Sequence, residues 1–149
     1  MTRICLDSNV IVAALVARGL CADLLRLVLS EHELLVPEVV ADEVRRVLSS
    51  KLNASHVALA AAAAVLERCE IVPRSNAVSP ISLRDPDDER VLADAISAGS
   101  EIFVTGDQDL LVVAEASPIR ILSPRAFLTL ARAGTLQRGP DAEAEERSV

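Results

Sequence analysis

The chain has 149 residues, of which 51% are hydrophobic and 25% charged, and this balance excludes intrinsic disorder and predicts one globular domain. Its formal net charge of −7 and its two aromatic residues argue against binding nucleic acid through a broad basic or base-stacking surface. Fourteen of its 15 basic residues are arginine, the side chain best shaped to hold phosphate. The composition therefore allows nucleic acid only as a substrate that is bound at one local site.

Nothing in the pattern predicts a membrane span or a zinc site. The longest apolar stretch, residues 57–66, is about half the length that a membrane span requires. The N-terminus enters an apolar strand without a charged-then-apolar leader, so we expect a cytoplasmic protein with no membrane contact. Three dispersed cysteines indicate reduced thiols, and two isolated histidines do not make a zinc centre.

Short apolar runs alternate with helical segments along the chain. The predicted strands begin at Arg3, Glu33, Glu70, Glu101 and Ile119, and the predicted helices cover residues 9–17, 22–30, 37–50, 55–69, 86–98, 110–115 and 124–133. Pro37, Pro86 and Pro124 are predicted at first helical positions, with Asp85 and Ser123 as caps before the last two. The alternation predicts an α/β fold, a three-layer α/β/α sandwich with a mainly parallel central sheet.

We expect residues 1–133 to form this domain and residues 134–149 to form an acidic, disordered tail. The tail carries Asp141, Glu143, Glu145 and Glu146. The long connection at residues 73–85 is the only loop for which the sequence predicts room to move.

Two acids lie at or just after the ends of predicted strands. Asp7 comes after RICL, and Asp107 follows the strand EIFV after the two residues TG. The carboxyl ends of parallel strands meet at one edge of a sheet, where ligands bind. We therefore expect both carboxylates at the same edge.

Two further acids lie on the apolar faces of predicted helices. Glu43 is spaced by three or four residues from Val39, Val40 and Val47, inside the apolar stripe, although it also fits an acid at the stripe's margin. Its neighbour Asp42 is expected on the solvated face.

Asp88 precedes Val91, Leu92, Ala95 and Ile96 at helical spacing and extends their stripe to the helix start. An acid in the first turn also has an ordinary role, since it interacts favourably with the helix dipole. Asp87, one residue earlier, is expected on the neighbouring flank.

Four converging carboxylates would repel one another unless cations neutralise them. Oxygen ligands without histidine or cysteine select Mg²⁺ or Mn²⁺, and such a site suits phosphodiester hydrolysis with one or two ions. Ser8, Asn9 and Thr105 are candidates to orient the carboxylates, although all three residue types are also common in caps and turns. Asp109 is a candidate ligand or supporting acid.

The segments ICLDSNVIVAAL, LLVPEVVADEVRRVL, DPDDERVLADAISAGSEIFVTGDQDLL and IRILSPRAFL together resemble the PIN-domain nucleases, from about Thr2 to Leu130. The likeness is greatest to VapC-like toxin components of toxin–antitoxin systems. The resemblance implies an endoribonuclease dependent on Mg²⁺ or Mn²⁺, with catalytic and metal-binding acids at Asp7, Glu43, Asp88 and Asp107. It maps further polar positions to Asn9, Thr105 and Asp109, and implies an RNA substrate, an antitoxin partner and a homodimer.

Two other functions remain open. A PIN fold without activity would bind RNA or protein, but none of the four acids is missing. A phosphatase of the haloacid dehalogenase type also has an aspartate after its first strand. Its chemistry uses a second aspartate two residues on, where this chain has Asn9, and a lysine, of which this chain has only Lys51.

Overall fold

The computed structural model describes residues 1–51 and 55–136. The strands are β1 (Arg3–Leu6), β2 (Glu33–Pro37), β3 (Glu70–Val72), β4 (Ile102–Val104) and β5 (Arg120–Leu122). The helices are α1 (Ser8–Val16), α2 (Leu20–Glu31), α3 (Glu38–Arg46), α4 (His56–Arg68), α5 (Pro86–Ser97), α6 (Gln108–Leu111) and α7 (Pro124–Arg132). The predicted acidic tail, apart from residues 134–136, lies outside the described residues.

The five strands form one parallel sheet in the order β3-β2-β1-β4-β5. From β1 the chain moves outward through β2 to β3, then crosses to β4 on the other side of β1. Because right-handed crossovers put their helices on a face set by the direction of travel, α1 to α4 lie on one face and α5 on the other. The predicted α/β sandwich with a parallel sheet is confirmed.

The central strands are buried on both faces, as parallel strands in such a sandwich must be. Ile4, Cys5 and Leu6 of β1 and Phe103 and Val104 of β4 have no exposed surface. The core continues into the inner faces of α1, α2 and α3 and into α5. The buried core therefore extends to the carboxyl ends of β1 and β4. In the described part of the chain, no helix combines the length and the apolarity needed to cross a membrane.

The third predicted helix differs from the observed one at both ends. Pro37 is the last residue of β2 and the cap residue before α3, not the first residue of the helix. The α-helix ends at Arg46 and widens into a π-helical turn at Val47–Lys51. In that turn the Ser49 hydroxyl donates to the Arg45 carbonyl at 2.7 Å and the Ser50 hydroxyl to the Arg46 carbonyl at 2.6 Å. In the last turn of α3, these hydroxyls compete with backbone N–H groups for the carbonyls of Arg45 and Arg46.

The predicted caps of the two later helices are confirmed. The Asp85 carboxylate accepts a hydrogen bond from the Asp87 N–H at 2.9 Å at the start of α5. The Ser123 hydroxyl accepts from the Ala126 N–H at 3.1 Å at the start of α7. Both helices continue with proline in the first turn, where its missing N–H costs nothing.

Candidate active site

A cleft of about 860 Å³ opens at the carboxyl ends of β1 and β4. These neighbouring strands feed connections that leave the sheet in opposite directions, so a crevice forms between them. The cleft is lined from β1 and α1 on one side, α3 on a second, and α5 with the turn after β4 on a third. Asp7, Glu43, Asp88 and Asp107 all line it.

Asp7 is the most firmly held of these acids. Its backbone N–H donates to the Val104 carbonyl at 2.9 Å, which joins the ends of β1 and β4. One carboxylate oxygen accepts from the Ser8 N–H at 2.8 Å, and the other accepts from the Thr105 hydroxyl at 2.7 Å. Burial raises the pKa of Asp7, the bonds from Thr105 and Ser8 lower it, and the charges of Glu43 and Asp107 raise it again.

Thr105 links the two strand-end acids. Its fully buried hydroxyl donates to Asp7 and accepts from the Asp107 N–H at 3.0 Å. Asn9 braces the same turn, since its side-chain oxygen accepts from the Gly106 N–H at 3.2 Å and its amide group donates to Asp7 at 3.4 Å. The three predicted supporting residues, Ser8 included, therefore contact the Asp7 carboxylate or the turn that carries Asp107.

Glu43 reaches the cleft from α3. The fully buried stripe of this helix consists of Val40, Ala41 and Val44, and Glu43 lies beside it with a half-exposed side chain. Arg46, one turn later, approaches the Glu43 carboxylate to 4.0 Å. The structure thus puts Glu43 at the margin of the apolar stripe, facing the cleft.

Asp88 reaches the cleft from the first turn of α5, and its side chain is half-buried. Burial raises its pKa to about 7, and the charges of Asp107, Asp7 and Asp85 act in the same direction. A hydrogen bond shared with Asp107 contributes further. Asp88 is therefore partly protonated near neutral pH, because burial and the neighbouring carboxylates both disfavour its charged form.

The cleft is strongly acidic. Seven acidic side chains line it, against three arginines. Carboxylate oxygens of this kind suit Mg²⁺ or Mn²⁺. Within residues 1–51 and 55–136, no three carboxylate, thiol or imidazole groups are already close enough to hold an ion. The donor chemistry of the lining nevertheless fits a divalent cation.

Asp109 lies apart from the other predicted acids. Its side chain is exposed at the start of α6 and does not line the cleft. Its backbone N–H donates to the Asp107 carboxylate at 2.9 Å. Asp109 therefore contributes to the site here through its backbone, which orients Asp107.

Several residues line the cleft although the sequence did not predict them there. Arg46, Arg74 and Arg90 line it, and Asp42, expected in solvent, is exposed but lies at the cleft's rim, 3.8 Å from Arg74. The helical spacing of Arg46 from Glu43 is a signal that predicts its position. Asp87 also reaches the rim, as an exposed side chain.

Comparison with solved structures agrees with the fold. A chain of the structure of VapBC2 from Rickettsia felis, bound to a DNA fragment from their promoter, has a TM-score of 0.56 at 17% identity, covering 81% of this chain and 97% of that one. A domain of a functionally unknown protein from Methanocaldococcus jannaschii DSM 2661 has a TM-score of 0.54 at 14% identity, covering 81% and 89%. At these identities the likeness concerns the fold. Comparison with curated proteins finds no match.

The family model of the PIN domain matches residues 3–109. That span includes strands β1 to β4, helix α5 and all four cleft acids named from the sequence. More than half of the chain is thereby matched, and the chain belongs to the PIN-domain family.

Proposed function

We propose that this protein is an endoribonuclease that hydrolyses RNA phosphodiester bonds with Mg²⁺ or Mn²⁺ in the cleft. PIN domains are generally nucleases. The observation that carries the proposal is the convergence of Asp7, Glu43, Asp88 and Asp107 on one cleft at the carboxyl ends of β1 and β4. Acids brought together from four separate elements of the fold, at a cost in repulsion, suit a cation-dependent reaction.

Asp7, Glu43, Asp88 and Asp107 would hold the ion, with Asp109 as a further candidate. A bound Mg²⁺ or Mn²⁺ supplies activation of the attacking water and neutralisation of the charge on the leaving oxygen. Thr105 and the Ser8 N–H hold the Asp7 carboxylate in one orientation, which keeps an oxygen directed to the cleft. The buried Thr105 hydroxyl also sets the start of the turn that carries Asp107.

Asp88 has a separate role because its pKa is about 7. At neutral pH a substantial fraction of the folded molecules carries a proton there, and that proton must leave before the carboxylate can bind a cation. Metal affinity and activity should therefore rise with pH through this region. Asn9 ties the Gly106 turn to the start of α1 through the hydrogen bond that it accepts from the Gly106 N–H.

The partners follow from the resemblance to VapC-like toxins and from the fold shared with VapBC2 of Rickettsia felis. We propose that the chain is the toxin of a toxin–antitoxin pair, that an antitoxin protein inhibits it in the cytoplasm, and that it forms a homodimer. Co-expression with the product of a neighbouring short gene should yield a stable complex with suppressed cleavage. Purification as a monomer that no such protein inhibits would contradict this part of the proposal.

The function itself is tested by incubating the purified protein with single-stranded and structured RNA, with Mg²⁺ or Mn²⁺ and with EDTA. We expect cleavage in either metal, none in EDTA, and a loss of several orders of magnitude in Asp7→Asn. Undiminished cleavage in EDTA would contradict the metal site. RNA binding without cleavage would indicate an inactive PIN module, and hydrolysis of a chromogenic phosphomonoester instead of RNA would indicate a phosphatase.

A further inference from the structure

The connection between β3 and α5, residues 73–85, is tied to α5 close to its start. Asp94 of α5 accepts hydrogen bonds from both the Ser75 N–H, at 3.1 Å, and the Ser75 hydroxyl, at 2.7 Å. Arg90, one turn earlier, donates to the carbonyls of Ser75 and Ala77. Although the sequence predicts room to move, four hydrogen bonds tie residues 75–77 of this connection to α5.

The anchor is costly. Asp94 is fully buried, with Arg90 3.4 Å away as its ion-pair partner. Its second carboxylate oxygen has no hydrogen-bond partner among the described residues. A buried carboxylate that is incompletely satisfied destabilises a fold. Its effect is to hold the backbone of residues 75–77 along one path, which also sets the position of the residue just before them.

That residue is Arg74, whose side chain lines the cleft. Its side chain is 62% exposed, and among the described residues its guanidinium approaches one carboxylate, that of Asp42, at 3.8 Å, a distance too long for a hydrogen bond. Arg90, by contrast, uses its guanidinium on backbone carbonyls. Arg74 therefore offers an arginine fork at the rim of a cleft whose charged lining is mainly acidic.

We propose that Arg74 binds a backbone phosphate of the RNA next to the scissile bond, and that Ser75 and Asp94 position it for this contact. The inference rests on the proposed ribonuclease function. An RNA strand that enters an acidic cleft is repelled unless cations face its phosphates. A guanidinium can bind one phosphate with two parallel hydrogen bonds. Ser75 and Asp94 act through the backbone next to Arg74 and touch no substrate themselves.

The phosphate contact is tested by steady-state cleavage of one fluorogenic single-stranded RNA in Mg²⁺. Arg74→Gln should raise KM about tenfold and leave kcat within about twofold, because the contact contributes equally to binding substrate and transition state. Arg84→Gln is the matched control. It removes the same charge from the same connection, at an exposed side chain that does not line the cleft, and should leave both constants unchanged.

The positioning role is tested by coupling between the two neighbours. Ser75→Ala removes the hydroxyl bond to Asp94 and should raise KM in the wild-type background but not in Arg74→Gln. Ser75→Thr keeps a hydroxyl and should restore the wild-type KM. Melting temperatures identify the folded variants. An equal rise in KM for Ser75→Ala in both backgrounds would overturn the positioning role, since a general loosening of the fold does not depend on Arg74.

Different results would overturn the ribonuclease function and the Arg74–phosphate contact. Wild-type protein that cleaves RNA while Arg74→Gln keeps the KM of Arg84→Gln would overturn this inference and leave the ribonuclease function standing. Wild-type protein that cleaves no RNA would overturn the proposed function and this inference with it.

Discussion

Removing the Asp88 charge should stabilise the metal-free protein by an amount that grows as the pH rises from about 4 to about 7. The pKa of Asp88 is 3.8 when unperturbed and about 7 in the folded cleft. As the pH rises between these values, the unfolded chain loses the proton that the folded protein keeps, so the free energy of unfolding falls. Below this window the carboxyl costs nothing, and above pH 7 the full destabilisation is present. Asp88→Asn removes the titration.

The size of the effect is set by burial. A change from 3.8 to about 7 corresponds to about 4 kcal/mol if none of it is screened. Asp88 is only half-buried, and solvent screening weakens interactions of such groups considerably. We therefore expect Asp88→Asn to gain about 1 kcal/mol above neutral pH, or roughly 3 °C in melting temperature for a chain of this length.

The assay is thermal melting in EDTA across a pH series from about 4 to about 8. The difference between Asp88→Asn and wild type should grow through the series and level off above neutrality. Asp87→Asn, the same change at the exposed neighbour, controls for removing a charge from this helical turn. A difference that is independent of pH, or that shrinks as pH rises, would refute the claim that crowded acids raise the pKa of Asp88.

Three more tests separate the roles of neighbouring groups. Asp85→Ala removes the N-cap bond of α5 and should cost about 1 kcal/mol in thermal unfolding while cleavage stays near wild type; an inactive variant would show a direct role in the reaction. Thr105→Val should lower the cleavage rate about 10- to 100-fold with the fold intact, because Asp7 and Asp107 lose a shared partner; wild-type turnover would contradict the positioning argument. Asp107→Asn should lower Mn²⁺ affinity, measured by calorimetry, far more than Asp109→Asn, and the reverse order would redraw the ligand set.

The sheet and the strand-end acids were predictable from the sequence because they depend on local patterns. Short apolar runs separated by helical segments specify a parallel sheet. Asp7 and Asp107 come at or just after the ends of two of these runs. Helical spacing was enough to separate Asp88, half-buried and facing the cleft, from Asp87, exposed at its rim. In each case the residues that decide the position are close in the sequence.

The other cleft features depend on contacts that the local sequence does not encode. Asp94 reads as an ordinary polar residue of α5, yet it is fully buried because residues 75–77 fold over it. The connection that contains Arg74 has no helical or strand periodicity, so its path to the cleft cannot be derived from spacing.

The central claim is that the four cleft acids form the reaction centre of a metal-dependent ribonuclease, and comparing Asp88→Asn with Asp87→Asn tests it most directly. Both variants remove one charge from the same turn of α5, and both should stay folded. Measured on one RNA at one Mg²⁺ concentration, Asp88→Asn should lose most of the metal-dependent cleavage, by about 100-fold or more, while Asp87→Asn stays near wild type. An inactive Asp87→Asn beside an active Asp88→Asn would contradict the account.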